Sequence, residues 1–193
     1  NCEELKFKKK KILIVISVLS LFLFLFPESK VSASVNNKTQ NLGEKTIEFS
    51  ELSEEQQTYF LYEGFDENNQ YFQQTIIQQP ATEGTLQQRV QANVLFITGS
   101  TKKITSTSAY TSYVINSSNA PILRTDTRVT LSGYKSISSS VIPYNSPYVS
   151  SGGIYSSYTG AEKYFSVSLA SQITTTMGPG AADCRAGGVT LGN

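Results

Sequence analysis

The chain has 193 residues, of which 39% are hydrophobic and only 16% are charged, and its formal net charge is +1. It contains no histidine and no tryptophan. The lack of histidine excludes a Ser-His-Asp triad, a Cys-His pair and every histidine-ligated metal site. The near-neutral charge excludes the dense basic surface of a nucleic-acid-binding protein, so we expect no nucleic-acid partner.

The N-terminus has the pattern of a secretory signal peptide. Lysine fills five of the six positions 6–11, an almost wholly apolar run follows at 12–26, and Pro27 ends it. Residues 31–33 then supply the small side chains of a cleavage site. We predict that residues 1–33 are a signal peptide, cleaved after its last residue. The mature protein would then be extracellular, either free or associated with the cell surface.

A retained membrane anchor is the alternative for the same segment. The fifteen residues of its apolar run would extend about 22 Å as a helix, which is short of the roughly 30 Å of a bilayer core. In both cases the segment contacts the membrane before any cleavage. Cys2 precedes the segment, so cleavage would leave Cys184 without an internal disulfide partner.

Residues 34–89 form an acidic segment, with three basic and nine acidic residues for a net charge of −6. Ser53 and Gln56 have the spacing of a capping box, which predicts a helix of about ten residues ending near Gly64. Glutamine dominates 65–91, a composition typical of a linker or weakly ordered segment. We therefore predict a spacer or pro-region with one short helix. It could dock by charge on the remaining chain, whose seven basic and three acidic residues give +4.

Residues 90–193 are rich in Ser, Thr and Tyr and predict an all-β domain. Short apolar runs alternate with turn residues, as in a small antiparallel β-sandwich or barrel-like domain. The candidate strands are 94–98, 103–115, 122–134, 137–142, 163–170, 173–177 and 184–191. The two-residue period predicts a core made of Val94, Phe96, Leu123, Val129, Leu131, Val141, Phe165, Val167 and Leu169.

Two motifs resemble parts of enzyme signatures. Ser132 and Lys135 match the S-x-x-K pattern of penicillin-binding proteins and serine β-lactamases. In those enzymes the serine opens a helix and precedes S-x-N and K-T-G motifs. Here Ser132 ends a predicted strand, the S-x-N at 117–119 comes before it, and there is no K-T-G. The run 178–183 begins like a dinucleotide fingerprint but lacks the third glycine, so we predict a turn.

Four further side chains are candidates for chemistry. Asp126, Glu162 and Asp183 could supply the carboxylate pair of a glycosidase, but solvated surface positions explain them more simply. They are too few for a calcium site. Cys184 could be a reactive thiol, although a small buried hydrophobic residue is the simpler interpretation. We therefore predict no enzymatic activity, no metal and no cofactor.

Tyrosines in and beside the turn-rich stretch 143–153 are the candidate ligand-binding residues. They are Tyr144, Tyr148, Tyr155 and Tyr158. Tyrosine rings beside serine and glycine are common in binding surfaces, because a rigid amphipathic ring then lies beside adaptable polar groups. Such rings stack on sugars or pack against a protein. Alternatively, they cover the end of the sandwich.

These observations favour a secreted or surface-associated bacterial protein that acts as a non-catalytic binding module for a cell-envelope polymer or another protein. A membrane-active toxin or bacteriocin-like protein is the alternative. Residues 104–118 alternate small hydroxyl side chains with Tyr, Val and Ile, and such a segment could join a membrane barrel. The segment lacks, however, the strong apolar band of a bilayer-spanning strand.

Overall fold

The computed structural model describes residues 39–79, 91–143 and 147–193, and the predicted signal peptide at 1–33 lies outside them. Within the described residues the chain forms nine strands, one α-helix and one 3-10 helix. In chain order these elements are β1 (Thr39–Ile47), the 3-10 helix (Phe49–Glu51), α1 (Glu54–Tyr62), β2 (Tyr71–Gln78), β3 (Asn93–Thr105), β4 (Ser108–Ser117), β5 (Ile122–Leu131), β6 (Lys135–Val141), β7 (Val149–Ser157), β8 (Lys163–Thr175) and β9 (Gly178–Leu191).

The strands of the described residues form two sheets that pack face to face. The first sheet has the order β1-β2-β3-β4-β7, and the second has the order β6-β5-β8-β9. Each neighbouring pair is antiparallel. The inner faces of both sheets contribute to one hydrophobic core. The predicted all-β fold is therefore confirmed, as a sandwich of two antiparallel sheets.

Five of the nine predicted core residues are buried in this core, namely Val129, Leu131, Phe165, Val167 and Leu169. The other four are wrong: Val94 and Val141 are half-buried, Phe96 is 36% exposed and Leu123 is 50% exposed.

The physical reason differs between the two strands with exposed residues. In β3 the apolar run 94–97 is continuous, so alternation alone does not fix its phase, and Leu95 and Ile97 face the core. In β5 an irregularity between Ile122 and Arg124 shifts the register, which turns Ile122 inward in place of Leu123.

Several predicted strand boundaries are also wrong: 163–170 and 173–177 belong to the single strand β8, and β7 was not predicted. Residues 103–115 do not form one strand, because a turn at 106–107 joins β3 to β4. The amide of Thr107 donates to the Thr105 hydroxyl oxygen at 3.2 Å, which stabilises this turn. The glycine-rich start of 178–183, predicted as a turn, begins β9 instead, and the preceding turn is at 176–177.

The glutamine-rich linker prediction is wrong for residues 71–78, which form β2 between β1 and β3. The glutamines of this strand are satisfied by hydrogen bonds. Gln74 accepts from the Asp183 amide at 2.8 Å, and Gln78 accepts from Asn93 at 2.8 Å. Burying an amide side chain is tolerated when its polar atoms are paired. All described residues of the acidic segment belong to the same compact unit as the rest, 36–193.

The predicted helix is confirmed together with its capping box. The Ser53 hydroxyl accepts from the Gln56 amide at 3.3 Å, and Gln56 Oε1 accepts from the Ser53 amide at 3.2 Å. The helix ends before Gly64, whose φ of 75° suits the turn after a helix. Its buried face packs on the outward face of the first sheet, where Phe60 joins a second apolar cluster with Tyr71.

Candidate binding groove

The outward face of the second sheet is open, and the strand register defines rows of side chains across it. One row contains Ser138, Arg128, Ala170 and Asp183, from β6, β5, β8 and β9 in that order. The next row contains Ser140, Asp126, Gln172 and Ala181. Each of these side chains is exposed or half-buried. The face therefore presents short polar groups with charges on β5 and β9.

A shallow groove of about 410 Å³ lies over these two rows. It forms because the methyl groups of Ala170 and Ala181 are flanked by longer side chains on the neighbouring strands. A second depression of about 600 Å³ shares Asp126, Gln172 and Ala181 with the first and extends past Thr174. The two depressions follow the direction of β8 along the sheet.

The floor of the groove is held by hydroxyl groups that point into the sandwich. The Thr127 and Ser171 hydroxyls lie 3.1 Å apart in the interior and join β5 to β8. The Thr125 hydroxyl lies 2.8 Å from that of Ser150 on the first sheet. Because buried hydroxyls need partners, these contacts fix the backbone under the groove.

The charges on β5 are arranged around Asp126. Arg124 donates from Nε to Asp126 Oδ2 at 2.8 Å and from a terminal nitrogen to Oδ1 at 2.8 Å. The Ser140 hydroxyl donates to the same carboxylate. These hydrogen bonds, led by those from Arg124, lower the pKa of Asp126. A catalytic general acid needs the opposite shift, so Asp126 is suited to binding and not to protonating a leaving group.

Of the other two candidate acids, Asp183 lies near Asp126 and Glu162 does not. Asp183 of β9 and Asp126 of β5 are both on the outward face of the second sheet, and β8 lies between their strands. Glu162 is exposed in the connection before β8, next to Gly192. The structure therefore brings Asp126 and Asp183 to one groove and leaves Glu162 outside it.

An exposed tyrosine that the sequence analysis did not select lies on the same face. Tyr164 is 65% exposed, and its ring covers Gly188 of β9. A Cβ built on Gly188 would lie 2.6 Å from Tyr164 Cζ, so only glycine leaves room for the ring. Tyr164 is about 20 Å along β8 from Ala170. The sequence did carry a signal for this position: Phe165 was predicted to face the core, so its neighbour Tyr164 should face outward.

The four predicted tyrosines do not form one surface among the described residues. Tyr144 lies outside those residues. Tyr148 and Tyr158 flank opposite ends of β7, which is nine residues or about 30 Å long. Tyr155 is on the outward face of the first sheet, with its ring centroid 4.5 Å from that of Tyr110.

One of these tyrosines has the covering role that the sequence left open. Tyr158 is half-buried, and its ring centroid lies 4.9 Å from that of Phe165 and 5.0 Å from that of Tyr134. It therefore covers one end of the sandwich core.

The motifs that resembled enzyme signatures occupy structural positions. Ser132 lies in the hairpin turn between β5 and β6, and its hydroxyl accepts from the Ser166 amide at 3.2 Å. Cys184 is only 2% exposed and packs in the core, as its simpler interpretation predicted. Burial, together with the charges of Glu44 and Asp183, raises its pKa to about 12. The thiol is therefore protonated at neutral pH.

The described part of the chain lacks two further features. It contains no group of three or more His, Cys, Asp or Glu side chains that could hold a metal ion. No helix there is both long and apolar enough to span a bilayer. In comparisons with protein-family models, with curated proteins and with solved structures, nothing matches this chain.

Proposed function

We propose that this protein is a secreted or surface-associated bacterial binding module that holds an extended cell-envelope polymer along β8. The observation that carries the proposal is the open groove over Ala170 and Ala181, bounded by charged strands and continued by a second depression. A closed pocket suits a small molecule, which it surrounds. An open groove that follows a strand suits the middle of a long chain, which can enter and leave at both ends.

The side chains of the face fit a polymer with many hydroxyl groups. Ser138 and Gln172 each offer both a donor and an acceptor at the surface, and Ser140, whose hydroxyl donates to Asp126, offers an acceptor. Tyr164 exposes an aromatic ring whose negative face attracts the C–H groups of a sugar ring. The proposal therefore gives Tyr164, on the same face about 20 Å along β8 from Ala170, the role that the sequence analysis gave to other tyrosines, so a polymer would have to extend that far to contact both.

The structure also bears on the membrane-active alternative. Most of residues 104–118 belong to β4, which lies between β3 and β7 in the first sheet. Tyr113 and Ile115 of this strand are fully buried in the sandwich core. Releasing the segment into a bilayer would expose that core, at a cost of about 25 cal/mol for each Å² of apolar surface. This cost favours the binding proposal over membrane insertion.

Co-sedimentation tests the proposal with the compact unit, residues 36–193. We expect the protein to pellet with isolated bacterial cell walls and to leave dye-loaded liposomes intact. Tyr164→Ala should weaken wall binding at least threefold, and Tyr155→Ala is the matched control because its exposed ring lies on the other sheet. Dye release, or the absence of wall binding, would contradict the proposal. A larger loss with Tyr155→Ala would place the binding surface on the first sheet.

A further inference from the structure

The row across the centre of the groove places opposite charges on its two sides. Arg128 on β5 and Asp183 on β9 both pair with Ala170 of β8 in the sheet register. Two strand spacings separate their backbones by about 10 Å. The methyl group of Ala170 fills little of this gap, so a ligand strand along β8 would pass between a guanidinium and a carboxylate.

The other charges of this face already have partners. Arg124 is paired with Asp126 at 2.8 Å, and Arg185 lies 3.7 Å from a Glu44 carboxylate oxygen. Neither salt bridge found among the described residues includes Arg128 or Asp183. The charges that remain available to a ligand are therefore one positive group on the β5 side and one negative group on the β9 side.

The position of Asp183 is fixed from inside the sandwich. Its backbone amide donates to Gln74 Oε1 of β2 at 2.8 Å. This hydrogen bond holds β9 at the row where the carboxylate projects outward. The backbone that carries the negative side of the groove is therefore fixed before a ligand binds, so only the Asp183 side chain has to be ordered.

We infer that the groove selects a zwitterionic polymer, one that carries carboxylate groups toward Arg128 and ammonium groups toward Asp183, over a neutral polymer of similar shape. The inference rests on the proposed function and specifies its ligand class. A guanidinium binds a carboxylate through parallel hydrogen bonds, and a carboxylate accepts hydrogen bonds from an ammonium group. A neutral polyol would satisfy neither group as strongly.

Calorimetric titration of residues 36–193 with four soluble oligosaccharides tests this ligand class, in a buffer acidic enough to protonate glucosamine amines but above the pKa of the carboxyl groups. Carboxymethyl chitosan carries both charges, its N-acetylated form only carboxylates, chitosan only ammonium groups, and dextran neither. We expect carboxymethyl chitosan to bind at least tenfold more tightly than dextran. We also expect the two singly charged polymers to bind with intermediate affinity.

Two variants, each of which removes one charge, test the role of each charged group. Arg128→Gln should lower the affinity for carboxymethyl chitosan about fivefold and leave the affinity for chitosan unchanged. The charge-assisted hydrogen bonding of the guanidinium is lost only where the ligand has a carboxylate. Asp183→Asn should weaken carboxymethyl chitosan by a similar factor and leave its N-acetylated form unchanged. Lys103→Gln and Glu67→Gln make the same charge changes at exposed positions away from the groove and are the matched controls.

The outcomes separate the inference from the proposed function. If dextran binds as tightly as carboxymethyl chitosan, or if both groove variants behave like their controls while cell walls still bind, the zwitterionic ligand is wrong and the binding module remains. If neither cell walls nor any of the four polymers bind, both proposals are wrong.

Discussion

The outward face of each sheet carries polar side chains, but the described residues cover only one of the two faces. On the first sheet, α1 packs on the second apolar cluster and also on polar side chains of β3 and β4. Gln56 donates to the Thr98 hydroxyl at 3.0 Å and to the Asn116 side-chain oxygen at 2.9 Å. On the second sheet, Ser138 and Gln172 are exposed. A polar face can thus be closed where each buried group finds a partner, and it stays available to a ligand where no such cover exists.

The cover of the first sheet is also fastened at the end of α1. Lys102 donates to the carbonyl oxygens of Glu63 and Gly64 at 2.6 and 2.8 Å, and its ammonium group lies 4.4 Å from the Phe65 ring centroid. A cation at this end complements the negative pole of the helix dipole. The Tyr110 hydroxyl donates to the Glu63 carboxylate. The acidic segment is therefore held by packing and hydrogen bonds in addition to charge.

Deleting residues 36–89, which include the cover of the first sheet, should have the largest effect on stability. The deletion removes β1, α1 and β2, so β3 becomes an edge strand and the fully buried Leu95 and Ile97 lose their neighbours in β2. We expect a protein without a cooperative unfolding transition in urea. The intact unit is the control. A folded and cooperative product would show that the segment is a removable pro-region, as the sequence analysis considered.

Truncating the buried anchor of α1 should have the next largest effect. Phe60 is fully buried, with its ring centroid 4.9 Å from that of Tyr71. Phe60→Ala should lower the free energy of unfolding by about 3–5 kcal/mol, measured by urea denaturation. Tyr62→Ala, at a position 85% exposed on the same helix, should change it by less than about 0.5 kcal/mol. Equal losses for the two variants would mean that α1 does not pack as described.

A pair of glutamine variants compares the two faces directly. Gln56→Ala leaves Thr98 and Asn116 with fewer partners under the helix and should cost about 1–3 kcal/mol in unfolding free energy. Gln172→Ala removes an exposed amide from the open face and should cost less than about 0.5 kcal/mol. Thermal unfolding measures both. If the two variants lost similar unfolding free energy, the covered and the open face would not differ in the way described.

The smallest expected effect concerns the acid titration of Asp126. Its pKa is lowered by the hydrogen bonds from Arg124, followed by the one from Ser140. Because the folded-state pKa lies below the unfolded one, the stability that it contributes is present above the unfolded pKa and is lost as pH falls through the folded pKa. NMR titration should show the Asp126 pKa rising toward its ordinary value in Arg124→Gln. The same titration of Lys135→Gln, a variant at another exposed basic position, should leave it unchanged.

The parts of the fold that the sequence predicted are those with one buried side. In β8, Phe165 and Val167 alternate with exposed residues, so their phase was readable, and Tyr164 could have been recognised from the same pattern. The capping box of α1 is a local signal and was equally readable. By contrast, the apolar run 94–97 of β3 is continuous although Phe96 is 36% exposed, so its sequence gave no phase for Leu95.

The groove could not be derived in the same way. Its central row depends on the cross-strand pairing of Arg128, Ala170 and Asp183, which are distant in sequence. The strands β5 and β8 are not consecutive in the chain, so no hairpin turn sets the pairing of Arg128 with Ala170, and an irregularity between Ile122 and Arg124 interrupts the count along β5. The β2 strand was missed because its glutamines are satisfied by partners elsewhere in the fold.

The hydrogen bonds that join β1 and β2 to β9 have a consequence for how the chain folds. The bond from the Arg185 amide to Glu44 spans 141 residues, and the one from Asp183 to Gln74 spans 109. Contacts of such sequence separation form only after most of the chain has been synthesised, and folds built from them are slow to form. These hydrogen bonds cannot form while the last strand is still being made. Such a delay would suit the export that we propose for this protein.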